Sequence, residues 1–218
     1  MKGDALKTTI LSMRIIPNTD EALRNALKLA PGQISLGIIT TDCDDVSYAA
    51  LDEATKKAQV DVVYARSMYA GSSNASTALA GEFIGIISAA DPAEVKSGLE
   101  AAAAYIENDA CFYSAADDDS ISYFAHCISR TGSYLSKQAD VAEGTAMAYL
   151  IAPPLEAMVG VDAALKAADV KLSLFYGPPT ETNFAGGLLT GSQAACKAAC
   201  EAFEETVCQI ADIPIKIE

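Results

Sequence analysis

The chain has no tryptophan, one histidine, and only 15 Lys plus Arg against 29 Asp plus Glu among its 218 residues. Each shortage excludes something. The formal net charge of -14 repels a polyanion, so nucleic acid is ruled out as a partner and an anionic membrane surface is disfavoured. A single imidazole, His126, excludes a multi-histidine metal site and leaves any Ser–His or Cys–His catalysis with one candidate base. No window approaches the roughly 18 consecutive apolar residues of a membrane span. The opening Met1-Lys2-Gly3-Asp4-Ala5-Leu6-Lys7 lacks the apolar centre of a secretion signal.

The six cysteines (Cys43, Cys111, Cys127, Cys196, Cys200 and Cys208) include no Cys-x-x-Cys and read as free cytosolic thiols. Cys196 and Cys200 share a helical face, where they read as small apolar packing residues rather than a metal or redox pair. Gly-x-Ser-x-Gly, Gly-x-x-x-x-Gly-Lys-Ser/Thr and Gly-x-Gly-x-x-Gly are all absent. Asp117-Asp118-Asp119 reads as a solvated turn without the spaced ligands of a calcium loop.

What is present is a core and a repeat. Hydrophobic residues make up 51% and charged residues 20%, which suits a folded α/β protein. The apolar run Ser35–Thr40 predicts a strand. It leads through Asp42-Cys43-Asp44-Asp45 into a helix over Val46–Ala58, with Asp44 or Asp45 expected at the N-cap. Val60–Tyr64 predicts a second strand, Met68–Ala80 a long polar loop and Phe83–Ile87 a third strand. Asp91-Pro92-Ala93-Glu94 then carries an N-cap acid, a first-turn proline and a third-position glutamate, so a helix is expected over Pro92–Glu107.

The second half runs through the same order. Asp162-Ala163-Ala164-Leu165-Lys166-Ala167 lies over Asp52-Glu53-Ala54-Thr55-Lys56-Lys57, 110 positions earlier. Strands are expected at Met147–Ile151, Val170–Phe175 and Gly186–Thr190, a polar loop at Tyr176–Ala185, and a Ser192-capped helix with Ala195, Ala199, Phe203 and Val207 on one face. Asn18–Leu29 and Thr131–Ala139 both look helical, each ahead of the first strand of its half. The fold class is therefore α/β (α+β): two tandem copies, 1–109 and 110–218, suited to the fusion of a protein that was once an oligomer.

One motif looks enzymatic. Asp42-Cys43-Asp44-Asp45-Val46 after an apolar strand fits the Asp-x-Asp pattern of haloacid-dehalogenase-type phosphatases. In such an enzyme Asp42 would be the nucleophile and Asp44 the general acid beside Mg²⁺. Helix capping is the plainer account of the same residues.

The order strand, helix, strand, polar loop, strand, Asp-capped helix resembles the bacterial microcompartment shell domain. Ala54–Val60 looks like its alanine-rich helix running into a strand, and Asp91–Val95 like the start of its second helix. Longer stretches resemble the tandem-domain shell proteins of ethanolamine utilisation: Asp44–Val46, Asp52–Lys56, Arg66–Gly71, Ser129–Ser136, Ala148–Ala157 and Thr190–Cys200. The resemblance implies two circularly permuted shell domains per chain. It also implies a homotrimer forming a pseudohexameric tile, other shell proteins as partners, a place in a bacterial microcompartment shell in the cytoplasm, and neither catalytic activity nor a cofactor.

It further implies a central pore gated by the two polar loops, with Gly71, Ser72 and Asn74 in one and Pro178, Pro179 and Gly186 in the other. Finally it implies an ethanolamine site made of Asp44, Asp45, Glu82, Phe112, Thr182, Asn183 and Phe184. The chemistry of these side chains suits a small cation with a hydroxyl: carboxylates for the ammonium, Thr182 and Asn183 for the hydroxyl, and aromatic faces from Phe112 and Phe184. Pro154 and Leu155 stand in the second copy where Asp44 and Asp45 stand in the first, so the acidic site occurs once per chain.

Overall fold

A computed structural model describes residues 1–68, 77, 79–215 and 217. The chain divides into two compact units. The first comprises Lys7–Ala110 and Gly132–Leu135; the second comprises Met1–Leu6, Cys111–Thr131 and Ser136–Glu218.

In the first unit, four antiparallel strands run in the order β2-β3-β5-β4: β2 (Ile10–Ile16), β3 (Ser35–Thr41), β5 (Phe83–Ala89) and β4 (Asp61–Ser67). Short helix α1 (Glu21–Ala26) follows β2. Helices α2 (Asp44–Lys57) and α3 (Pro92–Asn108) pack on each other and on the sheet. Leu51 from α2, Val95 and Leu99 from α3, and Leu36, Ile39 and Ile87 from the strands are fully or almost fully buried. The Asp91 carboxylate accepts from the Ala93 N–H at 2.7 Å, and Pro92 opens the helix as its missing N–H allows.

The second unit holds six strands in the order β1-β6-β7-β8-β10-β9: β1 (Ala5–Leu6), β6 (Phe112–Ser114), β7 (Ser122–Ile128), β8 (Ala146–Ala152), β10 (Ala185–Gly191) and β9 (Val170–Tyr176). Helices α5 (Pro154–Ala167) and α6 (Gln193–Asp212) cover a core of Leu150, Leu189, Val161, Phe203 and Val207. They approach closely because Gly160 has no side chain: a Cβ there would lie 2.7 Å from the Phe203 ring. Helix α4 (Ser133–Ala139) starts in the first unit and ends in the second.

The repeat is visible in detail. Helices α2 and α5 have the same length and stand 110 positions apart. Strands β4 and β9 carry a bulge at the equivalent residue, Val63 and Ser173, which breaks simple in–out alternation there, and β2 bulges as well, at Leu11. Strands β1, β2, β6 and β7 were not expected from the sequence. The helix expected over Asn18–Leu29 is only Glu21–Ala26, because β2 and its turn take up the residues before it.

Candidate functional site

The first unit gathers acids where β3 turns into α2. Helix α2 begins at Asp44, so neither expected cap holds: its N-cap is Cys43, with no side-chain cap bond, and Asp44 and Asp45 occupy its first turn. Both are only 7% exposed. Asp44 accepts the Asp45 N–H at 2.9 Å, and the positive end of the helix dipole favours negative charge at this end. Asp42 is tied to the strand beside it, accepting the Thr9 N–H at 2.7 Å. Thr41 and Ser47 brace the turn, their hydroxyls 2.7 Å apart and each donating to the Cys43 carbonyl.

Glu82, just ahead of β5, belongs to the same group. Its N–H donates to the Thr41 carbonyl at 2.9 Å, and its own carbonyl accepts from the Met68 N–H at 2.7 Å. Burial raises the pKa of its half-buried carboxyl, and the charges of Asp44 and Asp42 raise it further. The negative field reaches neighbours outside the expected set. Burial, with Asp44 and Asp45, pushes the Cys43 thiol up. Burial first, with the same two acids adding, raises the Tyr48 phenol to about 12 although its bond to Ser67 at 2.7 Å opposes the shift. A half-buried group of acids of this kind attracts cations.

The remaining expected residues lie in the second unit. Phe112 in β6 is 9% exposed, stacked on Phe124 at 5.3 Å and met edge-on by Phe184 at 5.9 Å. Phe124 in turn stacks on His126 at 5.4 Å. Thr182, Asn183 and Phe184 share the β9–β10 connection. The Thr180 N–H donates to the Phe184 carbonyl at 2.9 Å, and the Asn183 N–H to the Thr180 carbonyl at 3.1 Å. Asn183 has φ +66°, a left-handed conformation that asparagine tolerates better than most residues. The structure thus brings the acids together in one unit, and Phe112 with Phe184 beside Thr182 and Asn183 in the other.

Of the six loop residues, Gly71, Ser72 and Asn74 lie outside the described residues. Pro178 and Pro179 are exposed in the β9–β10 connection. Gly186 is not in that loop. It sits inside β10, paired with Ile151 and Tyr176, at φ +155°, and a Cβ on it would lie 1.8 Å from the Leu150 carbonyl oxygen. Its missing side chain therefore serves strand packing, not hinge motion.

A model of the BMC domain family matches residues 35–116. The bacterial microcompartment shell protein EutL of Clostridium perfringens is 61% identical over 215 residues, 99% of each chain. Its Salmonella typhimurium counterpart is 50% identical over 213 residues, 98% of this chain and 97% of the other. The chain belongs to the EutL family of bacterial microcompartment shell proteins. The crystal structure of the ethanolamine utilization protein EutL from Leptotrichia buccalis agrees over 100% of both chains, with TM-score 0.98 and 64% identity. EutL relatives are shell proteins, so this is a structural protein of the microcompartment shell of ethanolamine utilisation and not an enzyme. That overturns the phosphatase alternative: Asp42 and Asp44 are held as strand and helix-start ligands of backbone N–H groups.

Sequence reasoning missed two features around the EutL acid group. Tyr48 carried a helical-spacing signal one turn beyond Asp44, which would have placed it on the same face. In the sequence Asp52 stands out only as part of the repeat and of the Asp52–Lys56 stretch that carries the family resemblance. It is fully buried and accepts the Gly132 N–H at 2.7 Å and the Leu135 N–H at 2.9 Å, holding the start of α4. The thiols Cys196 and Cys200 are in the apolar core. Asp119 accepts from the Met1 ammonium at 3.2 Å and Asp117 from the Lys2 N–H at 3.2 Å, so the acidic turn anchors the chain's first residues.

Proposed function

We propose that the chain assembles as a homotrimer, each chain contributing two shell domains to a pseudohexameric tile that packs with other shell proteins. The tile carries a central pore gated by the loops at 68–80 and 176–185, and each chain takes one ethanolamine. Asp44, Asp45 and Glu82 would receive the ammonium, Thr182 and Asn183 the hydroxyl, and Phe112 and Phe184 the methylene and cationic face.

The observation that carries this reading is the buried Asp44–Asp45 pair beside a Glu82 whose pKa is raised by burial and by neighbouring acids, in a chain of the EutL family. Adding a small cation relieves that repulsion, while a neutral or anionic solute does not. The tandem copies and the relatives' role as shell proteins support the tile.

Light scattering after size exclusion tests the assembly: a mass near 68 kDa, three times 22.7 kDa, is expected, and a mass near 22.7 kDa at all concentrations rejects it. Calorimetric titration with ethanolamine tests the site. Asp45→Ala is expected to weaken binding at least tenfold, and unchanged binding would remove the assignment.

A further inference from the structure

The repeat leaves one strand position filled in the second unit and open in the first. In the second unit, β7 has β8 on one side and β6 on the other. Strand β6 comes from the residues that follow α3: Asp109 caps that helix, and Tyr113 and Ser114 then pair with Tyr123 and Ser122. Three of the seven residues of β7 are buried. The equivalent strand β2 is an outer strand, with only β3 beside it among the described residues. It reads Ile-Leu-Ser-Met-Arg-Ile-Ile, and none of its seven residues is buried. Strand β1, which precedes β2 in the chain, pairs with β6 in the other sheet and so leaves the position unfilled. Alternate N–H and C=O groups of β2 point away from β3, an edge that invites pairing. Arg14 already folds back to donate to the Met13 carbonyl at 2.7 Å.

The segment that would match β6 is the one that follows α6. Ile213 caps α6 as Asp109 caps α3. Beyond it, Ile213, Ile215 and Ile217 recur at strand spacing and are 60%, 86% and 97% exposed. Isoleucines at that spacing suit a strand with one covered face, and among the described residues of the single chain these three stay exposed.

We infer that the segment following α6 in one copy adds as a strand to the outer edge of β2 in a second copy, as β6 adds to β7 within one chain. By the register of β6 on β7, Ile217 lies opposite the Ile10–Leu11 step of the second copy, where Leu11 bulges out of the β2–β3 ladder. The contact is heterologous, not a two-fold pair, and it forms a ring where the rotation between copies closes, as in the homotrimer proposed above. This rests on the homotrimer reading and names the contact that closes it.

The test uses the full chain. Ile215→Asp with Ile217→Asp leaves the fold of the single chain intact by circular dichroism, since both side chains are exposed there. It is expected to weaken self-association at least tenfold by concentration-dependent light scattering. Leu11→Cys with Ile217→Cys is expected to give interchain disulfides on mild oxidation, which neither single variant gives. Normal association of the aspartate variant, or no cross-link in the cysteine pair, overturns the inference while a 68 kDa wild type leaves the trimer standing. A wild type that stays near 22.7 kDa overturns both.

Discussion

The two copies share one backbone plan and diverge where they carry charge. Helix α2 opens with Asp44 and Asp45, each 7% exposed; α5 opens at the same point of the repeat with Pro154 and Leu155, and Leu155 is 58% exposed. Glu82 precedes β5, and Phe184 stands at the matching place before β10. Asp52 is buried and holds two backbone N–H groups, whereas Asp162 faces solvent and pairs with Lys166 at 2.6 Å. Val95 and Leu99 of α3 match Cys196 and Cys200 of α6, both sets buried. Apolar positions thus stay apolar through the repeat, while the acids differ in what surrounds them. A carboxylate read from sequence alone does not say which kind it is.

The largest effect expected from that contrast is at Asp52. Asp52→Ala orphans the N–H groups of Gly132 and Leu135 and leaves a buried void, at a cost of about 3 kcal/mol. Asp162→Ala removes only an exposed i,i+4 pair and costs roughly 0.5 kcal/mol or less. Urea unfolding midpoints of the two variants measure the difference, and equal shifts would break the comparison.

Next in size is the pH dependence at Glu82. Its folded-state pKa is raised above the ordinary glutamate value of about 4.5, so the folded protein binds more protons than the unfolded chain between that value and the raised one. Stability therefore falls as pH rises through this window. Glu82→Gln is expected to unfold at higher urea than wild type at pH 7, with the advantage gone below about pH 4. A lower midpoint for the variant at pH 7 would mean that Glu82 is stabilised by a cation or partner rather than repelled.

The smallest effect is expected at the thiols. Cys196→Val copies the residue of the first unit into the second, and a stability change within about 1 kcal/mol is expected for so conservative a core exchange. Burial raises the pKa of Cys200, so alkylation at pH 8 should mark it and Cys196 only after unfolding, as mass spectrometry of the labelled chain would show. Rapid labelling of the folded protein would revive a reactive role for the pair.

Much of the fold was legible because local chemistry and the repeat agreed. Asp91-Pro92 started its helix as expected, Ser192 capped the last one, and the Asp52/Asp162 register placed α2 and α5. Strand β2 escaped notice because Ser12 and Arg14 interrupt its apolar run, and β7 because its His126 and Cys127 drew attention as chemistry rather than as strand residues. Asp44 and Asp45 stood out as acids, but their capping role did not follow, since the extended Cys43 takes the cap position. Gly186 carries two conflicting expectations, the first residue of a strand by the repeat and a loop hinge by the family resemblance, and the strand pairing with Ile151 and Tyr176 agrees with the repeat. The clasp at Asp52 had no local signature at all: its partners lie 80 and 83 residues away.

Joining two copies in one chain also lifts a constraint on change. In a ring of identical single domains, one altered codon alters every position at once, and a buried acid pair would have to be tolerated all the way round. Here the codons for Asp44 and Asp45 are separate from those for Pro154 and Leu155. Charge can be gathered in one copy while the other keeps a proline and an exposed leucine, so one copy is free to specialise while the other preserves the scaffold.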